Sequence, residues 1–370
     1  MIAAMDGFVP RPSLRSGHKM TLFSWGNPRY FPRLPVPTRR YFDVAHDARV
    51  AADCHWQPRP WTRPTLVALH GLNGSSEAHY MRGLAAKAFA RGMNVVRLNQ
   101  RNCGDTERLS AGLFHSGLTA DAAHVIDELI AVDGLSALAV AGYSLGGNLA
   151  LKLAGEYGDR APRAVQAVTA VSPIIEIGEC VTALERRANL LYQWNFVRDL
   201  KRRMRRKDRF RPGLFDLKKL RDIRTVREFD EAYTAPYFGF KDAEDYYYRA
   251  SAMRIVDRIR LPALVIAAED DPFVPSRPFR DPKVTGNPHV LLLICEHGGH
   301  CGFVGPAAGD DDGYWAERQI VEFVERYTNS ATAEGAENAA ELMASEPFAS
   351  FAETPAGGAR TQGPSLPPRA

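Results

Sequence analysis

The chain has 370 residues, 45% of them hydrophobic, with 47 Lys and Arg against 43 Asp and Glu for a net charge of +4. That length and composition support a full buried core in one large domain with an insertion, or in two modest domains, and give no global polycation for nucleic acid. Cys54, Cys103, Cys180, Cys295 and Cys301 are odd in number, scattered and without any C-x-x-C pair, which argues against a disulfide framework or a zinc site and for a reducing compartment.

The first twenty residues lack a signal-type apolar stretch, and no window reaches about 18 uninterrupted apolar residues, so a soluble, cytoplasmic protein is expected. Residues 1 to about 36, including FVPRPSLRSGH and RYFPRLPVP, predict an extended arm laid on the core, because proline at this density blocks long helices. Tyr41 to Gln57 predicts two short strands, and Thr65 to Leu69 a third that ends at His70 and Gly71. A helix is expected over Ala78 to Gly92 and a strand over Asn94 to Leu98. Leu118 to Val132 returns to helical spacing, with Ala122, Val125, Ile126, Leu129 and Ile130 on one face. Leu138 to Ala141 reads as the end of a buried strand, and Asn148 onward as a helix start.

Val165 to Val171, Ala263 to Ala268 and Val290 to Cys295 complete the short apolar runs. Strands without polar alternation, separated by helices, indicate a parallel sheet covered on both faces. Between Ser172 and Ala250 the alternation stops and the chain becomes helical, basic and aromatic. Arg318 to Tyr327 carries a last helical stripe, after which Ala, Glu, Gly, Ser and Pro dominate. The expected fold is α/β: a mostly parallel, doubly wound sheet (37–171 and 251–328) with a helical cap insertion (172–250), an N-terminal arm (1–36) and a disordered tail (329–370).

The segment VAGYSLGGNLAL, 140–151, places Ser144 at the centre of a G-x-S-x-G turn between strand and helix, where a sharp turn pushes the hydroxyl out of the packed layer. Nucleophilic catalysis by serine also needs a base, a carboxylate to orient it and donors for an oxyanion. The strand ending at Ala268 opens into EDDPFVP, offering Asp271, with Asp270 as its competitor; the D-x-x-V-P spacing favours Asp271. The last strand opens into EHGGHCGF, offering His300 in competition with His297; the two preceding glycines favour His300. Ligands of a doubly wound sheet bind beyond the carboxyl ends of the strands, so these loops converge. The order Ser, Asp, His is that of the α/β-hydrolase arrangement.

For the oxyanion hole the backbone amides of Leu145 and of Leu72, in LHGLNGSS, are the candidates. His70 and Tyr143 are candidate substrate contacts, although closing a tight glycine loop by a hydrogen bond is the simpler role for His70. An imidazole base near pH 6.5 predicts activity that rises through pH 6 to 7 and then levels off. This chemistry calls for no cofactor and no metal.

In the cap, Tyr192, Trp194, Phe196, Tyr233, Tyr237, Phe238 and Phe240 are available to line an apolar acyl pocket. Arg198 to Arg227 holds 14 basic residues against four acidic ones, with KRRMRRK at its centre. It reads as a solvated helix face, or as attraction to anionic lipid or an anionic substrate, with nucleic acid not expected as a partner.

Taken together, SGHKMT, LHGLNGSSEAHY, LNQRNCGDT, GYSLGGN, FDEAYTAPYFGFKDAEDYYYRAS, DDPFVP and HGGHCGF resemble, in this order, the EMB8/YheT group of α/β-hydrolases, also called the AB hydrolase 4 family, which includes ABHD1-, ABHD2- and ABHD3-type proteins. The resemblance runs from about Phe8 to Phe323. It implies a serine hydrolase acting on carboxylic esters, such as short- to medium-chain acyl esters or monoacylglycerol-like lipids, through Ser144, Asp271 and His300. A thioesterase on the same residues, or a catalytically silent protein binding anionic surfaces, is the alternative. The chain departs from the family pattern at Asn102, where members often have glycine, and at Met20, where they commonly have glutamine.

Overall fold

Eight strands form one sheet: β1 (Thr38–Ala45), β2 (Ala48–His55), β3 (Thr65–Leu69), β4 (Asn94–Asn99), β5 (Leu138–Tyr143), β6 (Val165–Val171), β7 (Ala263–Ala268) and β8 (Val290–Cys295). The computed structural model describes residues 7–309 and 311–328, so the expected tail 329–370 lies outside the described residues. The strand order is β1-β2-β4-β3-β5-β6-β7-β8. β2 runs antiparallel to both its neighbours, and the strands from β4 to β8 are mutually parallel.

The central strands are buried throughout because both faces of the sheet are covered. Alternate residues divide between the faces. Leu66, Ala68, Ala139 and Ala141 pack on the side of α2 (His79–Ala90) and the helical residues 315–328. Val67, Leu69, Leu138 and Val140 pack on the side of α3 (Ala120–Ala131), α4 (Leu145–Tyr157) and the cap. Each such buried Leu or Val contributes about 1.5–3 kcal/mol over an exposed one. The register sets Leu69 beside Gly142 and Tyr143 beside Val171, which brings the loops after β3, β5 and β6 to one rim.

Two local expectations are corrected. The arm is not extended throughout: Gly17–Gly26 forms a ten-residue helix, α1, between Pro-rich flanks, with Met20 fully buried. α4 begins at Leu145, three residues before the expected start, because Gly146 and Gly147 are packed tightly under the β3 loop and Pro173, and this packing overrides their poor helix propensity.

The inserted segment contains α5 (Ile177–Leu184), the long α6 (Leu190–Phe210), a helical run from Val226 to Phe238 with a π-helical middle, and Ala243–Ala250. α6 is fastened from below. Lys207 is fully buried, and its ammonium donates to Asn102 Oδ1 and the Glu107 carbonyl, both at 2.9 Å, and to the Ser110 carbonyl. Asn102 adopts φ 62°, a left-handed conformation that asparagine tolerates better than most residues, and its amide also donates to the Gly112 carbonyl at 2.8 Å. The side chain standing where the family often has glycine thus satisfies the same backbone and adds an anchor for the cap.

Replacing Asn102 with alanine removes these bonds and leaves a strained residue, so unfolding free energy measured in urea should fall by about 2–3 kcal/mol. Asn102→Gly, which keeps the backbone unstrained, should lose roughly 1 kcal/mol less.

Candidate active site

Ser144 stands between β5 and α4 with φ 53° and ψ −114°, a conformation that costs a non-glycine residue about 1–3 kcal/mol. Its backbone is held from both sides: Ser144 N–H donates to the Val171 carbonyl at 2.9 Å, and its carbonyl accepts from Asn148 N–H at 3.0 Å. The flanking glycines make the turn possible. A Cβ on Gly142 would lie 2.0 Å from the Gly146 carbonyl oxygen, and one on Gly146 would lie 2.3 Å from that of Leu69.

On the neighbouring loops, Asp271 Oδ2 lies 2.9 Å from His300 Nδ1. The other carboxylate oxygen accepts from the amides of Phe273 and Val274 at 3.1 and 2.9 Å, so the acid is oriented by its own turn. Its side chain is 1% exposed, that of His300 12%. Burial opposes a charge on this imidazole, but the adjacent Cys301 sulfur and the Asp271 carboxylate outweigh it and raise His300 to about 10. The competing residues form a separate pair. Asp270 accepts from Gly299 N–H at 2.8 Å and stands 3.4 Å from His297, which does not reach the cavity holding Ser144.

Two cavities meet at Ser144. The outer one, about 500 Å³, is bordered by Leu72, Ser144, Tyr192, Phe196 and His300. The inner one, about 100 Å³, runs beneath the cap between Leu72, Leu145, Phe196, Met204 and Phe229. Among the described residues, Ser144 Oγ makes no side-chain hydrogen bond, and the Leu72 and Leu145 amides have no acceptor. Ser144 and the two residues with unused amides therefore border the same space, and a hydroxyl beside such amides is the combination that can attack a carbonyl and hold the resulting oxyanion.

His70 is corrected as a substrate contact. It is fully buried and borders neither cavity; Nδ1 lies 2.8 Å from the Gly71 carbonyl, and Nε2 accepts from Gln100 N–H at 3.2 Å. Burial lowers it to about 4, so it is a neutral clasp for the glycine loop. Tyr143 borders the outer cavity, but its ring is buried against Tyr80, centroids 4.6 Å apart. Of the cap aromatics, Phe196 borders both cavities and Tyr192 the outer one. Trp194 is 59% exposed, and Tyr233, Tyr237, Phe238 and Phe240 border neither cavity; their rings pack on Phe215 and His115 instead.

Sequence reasoning missed the part played by α1. Thr21 Oγ1 accepts from His300 N–H at 2.8 Å and donates to the Gly17 carbonyl at 2.7 Å. A Cβ on Gly17 would sit 1.8 Å from the Asp270 carbonyl oxygen, so the helix presses directly on the acid loop. SGHKMT was the available signal, and this contact gives the motif a physical purpose. Tyr80 was also missed; its hydroxyl accepts from Gly71 N–H at 3.0 Å and steadies the loop carrying Leu72.

A family profile described as alpha/beta hydrolase fold matches residues 64–306. The Escherichia coli protein named "Putative esterase YheT" is 34% identical over 300 residues, covering 80% of this chain and 85% of its own. The medium-chain fatty acid ethyl ester synthase/esterase 2 of Saccharomyces cerevisiae is 29% identical, covering 81% of this chain and 68% of its own. Among solved structures, the Pyrococcus furiosus esterase Pf2001 superposes with a TM-score of 0.54 at 15% identity, covering 81% of this chain and 97% of its own; at that identity the likeness is one of fold.

NMR titration of the His300 ring should give a midpoint above the ordinary imidazole value of about 6.5. Asp271→Asn removes the charge that favours the imidazolium and should move that midpoint to lower pH; an unmoved midpoint would mean the 2.9 Å contact does not govern the ring.

Proposed function

The chain belongs to the EMB8/YheT group of the α/β-hydrolase family and is a carboxylic ester hydrolase; on that premise we propose that Ser144, His300 and Asp271 are its charge-relay residues, with short- to medium-chain acyl esters or monoacylglycerol-like lipids as substrates. The supporting observation is the strained serine opening onto a cavity shared with an imidazole already bonded to a buried carboxylate. In this reading the Ser144 hydroxyl turns toward the ring when substrate enters, since catalytic hydrogen bonds are often unmade in an empty site. His300 takes the hydroxyl proton as Ser144 attacks the acyl carbonyl, and the Leu72 and Leu145 amides hold the oxyanion. His300 then protonates the leaving alcohol, and water repeats the path to release the acid.

Because the base must be neutral to accept that proton, the raised His300 moves the rising limb of the pH profile above the pH 6 to 7 expected from an unperturbed ring. The five cysteines are unpaired, in keeping with a cytoplasmic setting.

Peripheral contact with an anionic membrane is part of the proposal. Trp25, Leu190, Leu191 and Trp194 are each more than half exposed, Trp25 and Leu191 border the outer cavity, and Arg198, Lys201, Arg202 and Arg205 stand beside Leu190 and Trp194. Apolar side chains ringed by cations suit a lipid surface rather than a nucleic acid groove.

A fluorophosphonate probe should label Ser144, and Ser144→Ala should abolish labelling and lower kcat/KM on nitrophenyl esters about 10⁴-fold or more. An unlabelled, inactive wild-type protein overturns the assignment; faster turnover of acyl thioesters than of matched oxygen esters redirects it to a thioesterase. In flotation, the protein should follow vesicles containing phosphatidylserine and leave them as salt rises; binding indifferent to anionic lipid removes the membrane proposal.

A further inference from the structure

Within the basic helix α6, three of the outward cations reach carboxylates. Arg198 and Arg202 reach Asp199 at 3.0 and 3.4 Å, and Arg206 reaches Glu107 at 2.6 Å. Arg203 turns the other way. It is 7% exposed and lines the inner cavity together with Ser144. Its Nε and Nη1 are buried without a hydrogen-bond partner, and its guanidinium forms no ion pair among the described residues; it stands 5.3 Å from the Phe114 ring.

Apart from the Ser144 hydroxyl, the other polar side chains on this cavity have taken partners. Asp230 accepts the Thr234 hydroxyl at 2.7 Å and the Tyr247 hydroxyl at 2.9 Å, one on each oxygen. Asn102 uses its amide on Gly112 and its oxygen on Lys207. Ser116 Oγ accepts from the Tyr246 hydroxyl at 2.8 Å. His115 is kept neutral by burial and brings no competing charge. The remaining wall is apolar, including Leu113, Ile174, Leu200 and Met204.

A buried guanidinium that meets a ring face but no oxygen leaves hydrogen-bond donors unanswered, which is disfavoured. In a largely apolar pocket bordered by the nucleophile, the group it awaits arrives with the ligand. We infer that Arg203 recognises a carboxylate at the far end of the acyl chain, so that the preferred substrates are monoesters of dicarboxylic acids. This inference rests on the ester-hydrolase reading above. It requires no change in chemistry: the acyl–oxygen bond to the alcohol breaks as the Ser144 Oγ–acyl bond forms, the alcohol leaves with the proton carried by His300, and water then releases a dicarboxylic acid while the carboxylate on Arg203 takes no part. Arginine suits the task because its planar fork pairs with both carboxylate oxygens.

The test compares mono(4-nitrophenyl) adipate and suberate with 4-nitrophenyl hexanoate and octanoate, each corrected for spontaneous hydrolysis. In the wild type the carboxylated ester of at least one length should have the higher kcat/KM, and Arg203→Met should reduce the ratio of carboxylated to neutral turnover at least tenfold. Arg203→Lys should restore part of that ratio. Should the methionine variant fail to fold, the wild type alone decides: adipate or suberate should inhibit hydrolysis of the neutral ester competitively and more strongly than hexanoate or octanoate. Fast neutral esters with slow carboxylated ones, and dicarboxylates no better than monocarboxylates as inhibitors, overturn the inference and leave the hydrolase reading standing. No turnover of either ester type with Ser144 unlabelled overturns that reading, and this inference with it.

Discussion

The closeness of β3, β5 and α4 around Ser144 is the constraint on which the rest of the site depends. α4 can begin immediately after the serine only because Gly142 and Gly146 carry no Cβ; at either position one would lie within 2.3 Å of a carbonyl oxygen. That contact bends the chain into an otherwise disfavoured conformation and exposes the hydroxyl at the sheet rim. It also leaves the first amide of α4 without an intrahelical acceptor, as at any helix N-terminus, so the Ser144 hydroxyl and a free amide come from a single turn.

Around that turn, rigidity is borrowed from segments distant in sequence. α1 joins the histidine loop to the N-terminal segment through Thr21 and presses on the acid loop at Gly17. His70 and Tyr80 tie down the glycine loop through Gln100 and Gly71. A neutral, fully buried histidine is suited to that duty, since a charged one would have to be desolvated without a counterion.

The basic character of α6 divides by direction. Cations facing solvent form weak ion pairs or stand free beside exposed aromatics, whereas Lys207 and Arg203 turn inward with opposite outcomes. Lys207 finds three oxygens on the loop after β4 and locks the cap to the core. Arg203, one turn earlier, finds no oxygen among the described residues and stands over the Phe114 ring instead. A composition count treats the two alike.

The strands were legible from the sequence because a sheet covered on both faces needs mainly apolar runs without polar alternation, and β3 to β8 carry them, broken only by Arg97 within β4 and by Gln166 and Thr169 within β6. The chain order of Ser144, Asp271 and His300 after the ends of β5, β7 and β8 was equally plain. Between neighbours, spacing only tilts the choice toward Asp271 over Asp270 and His300 over His297; it is the turns that carry them that set His300 on the cavity with Asp271 2.9 Å behind it and leave Asp270 and His297 as a separate pair. The inward face of α6 could have been inferred from Leu200, Met204 and their helical neighbours Arg203 and Lys207, but only docking against the loop after β4 shows that one cation is satisfied there and the other is not. Local pattern thus determined which residues form strands and where the reactive loops begin. Tertiary packing decided which side chains those loops aim at one another, because a side chain's direction is set by the neighbours that exclude its other rotamers, and those neighbours come from distant parts of the chain.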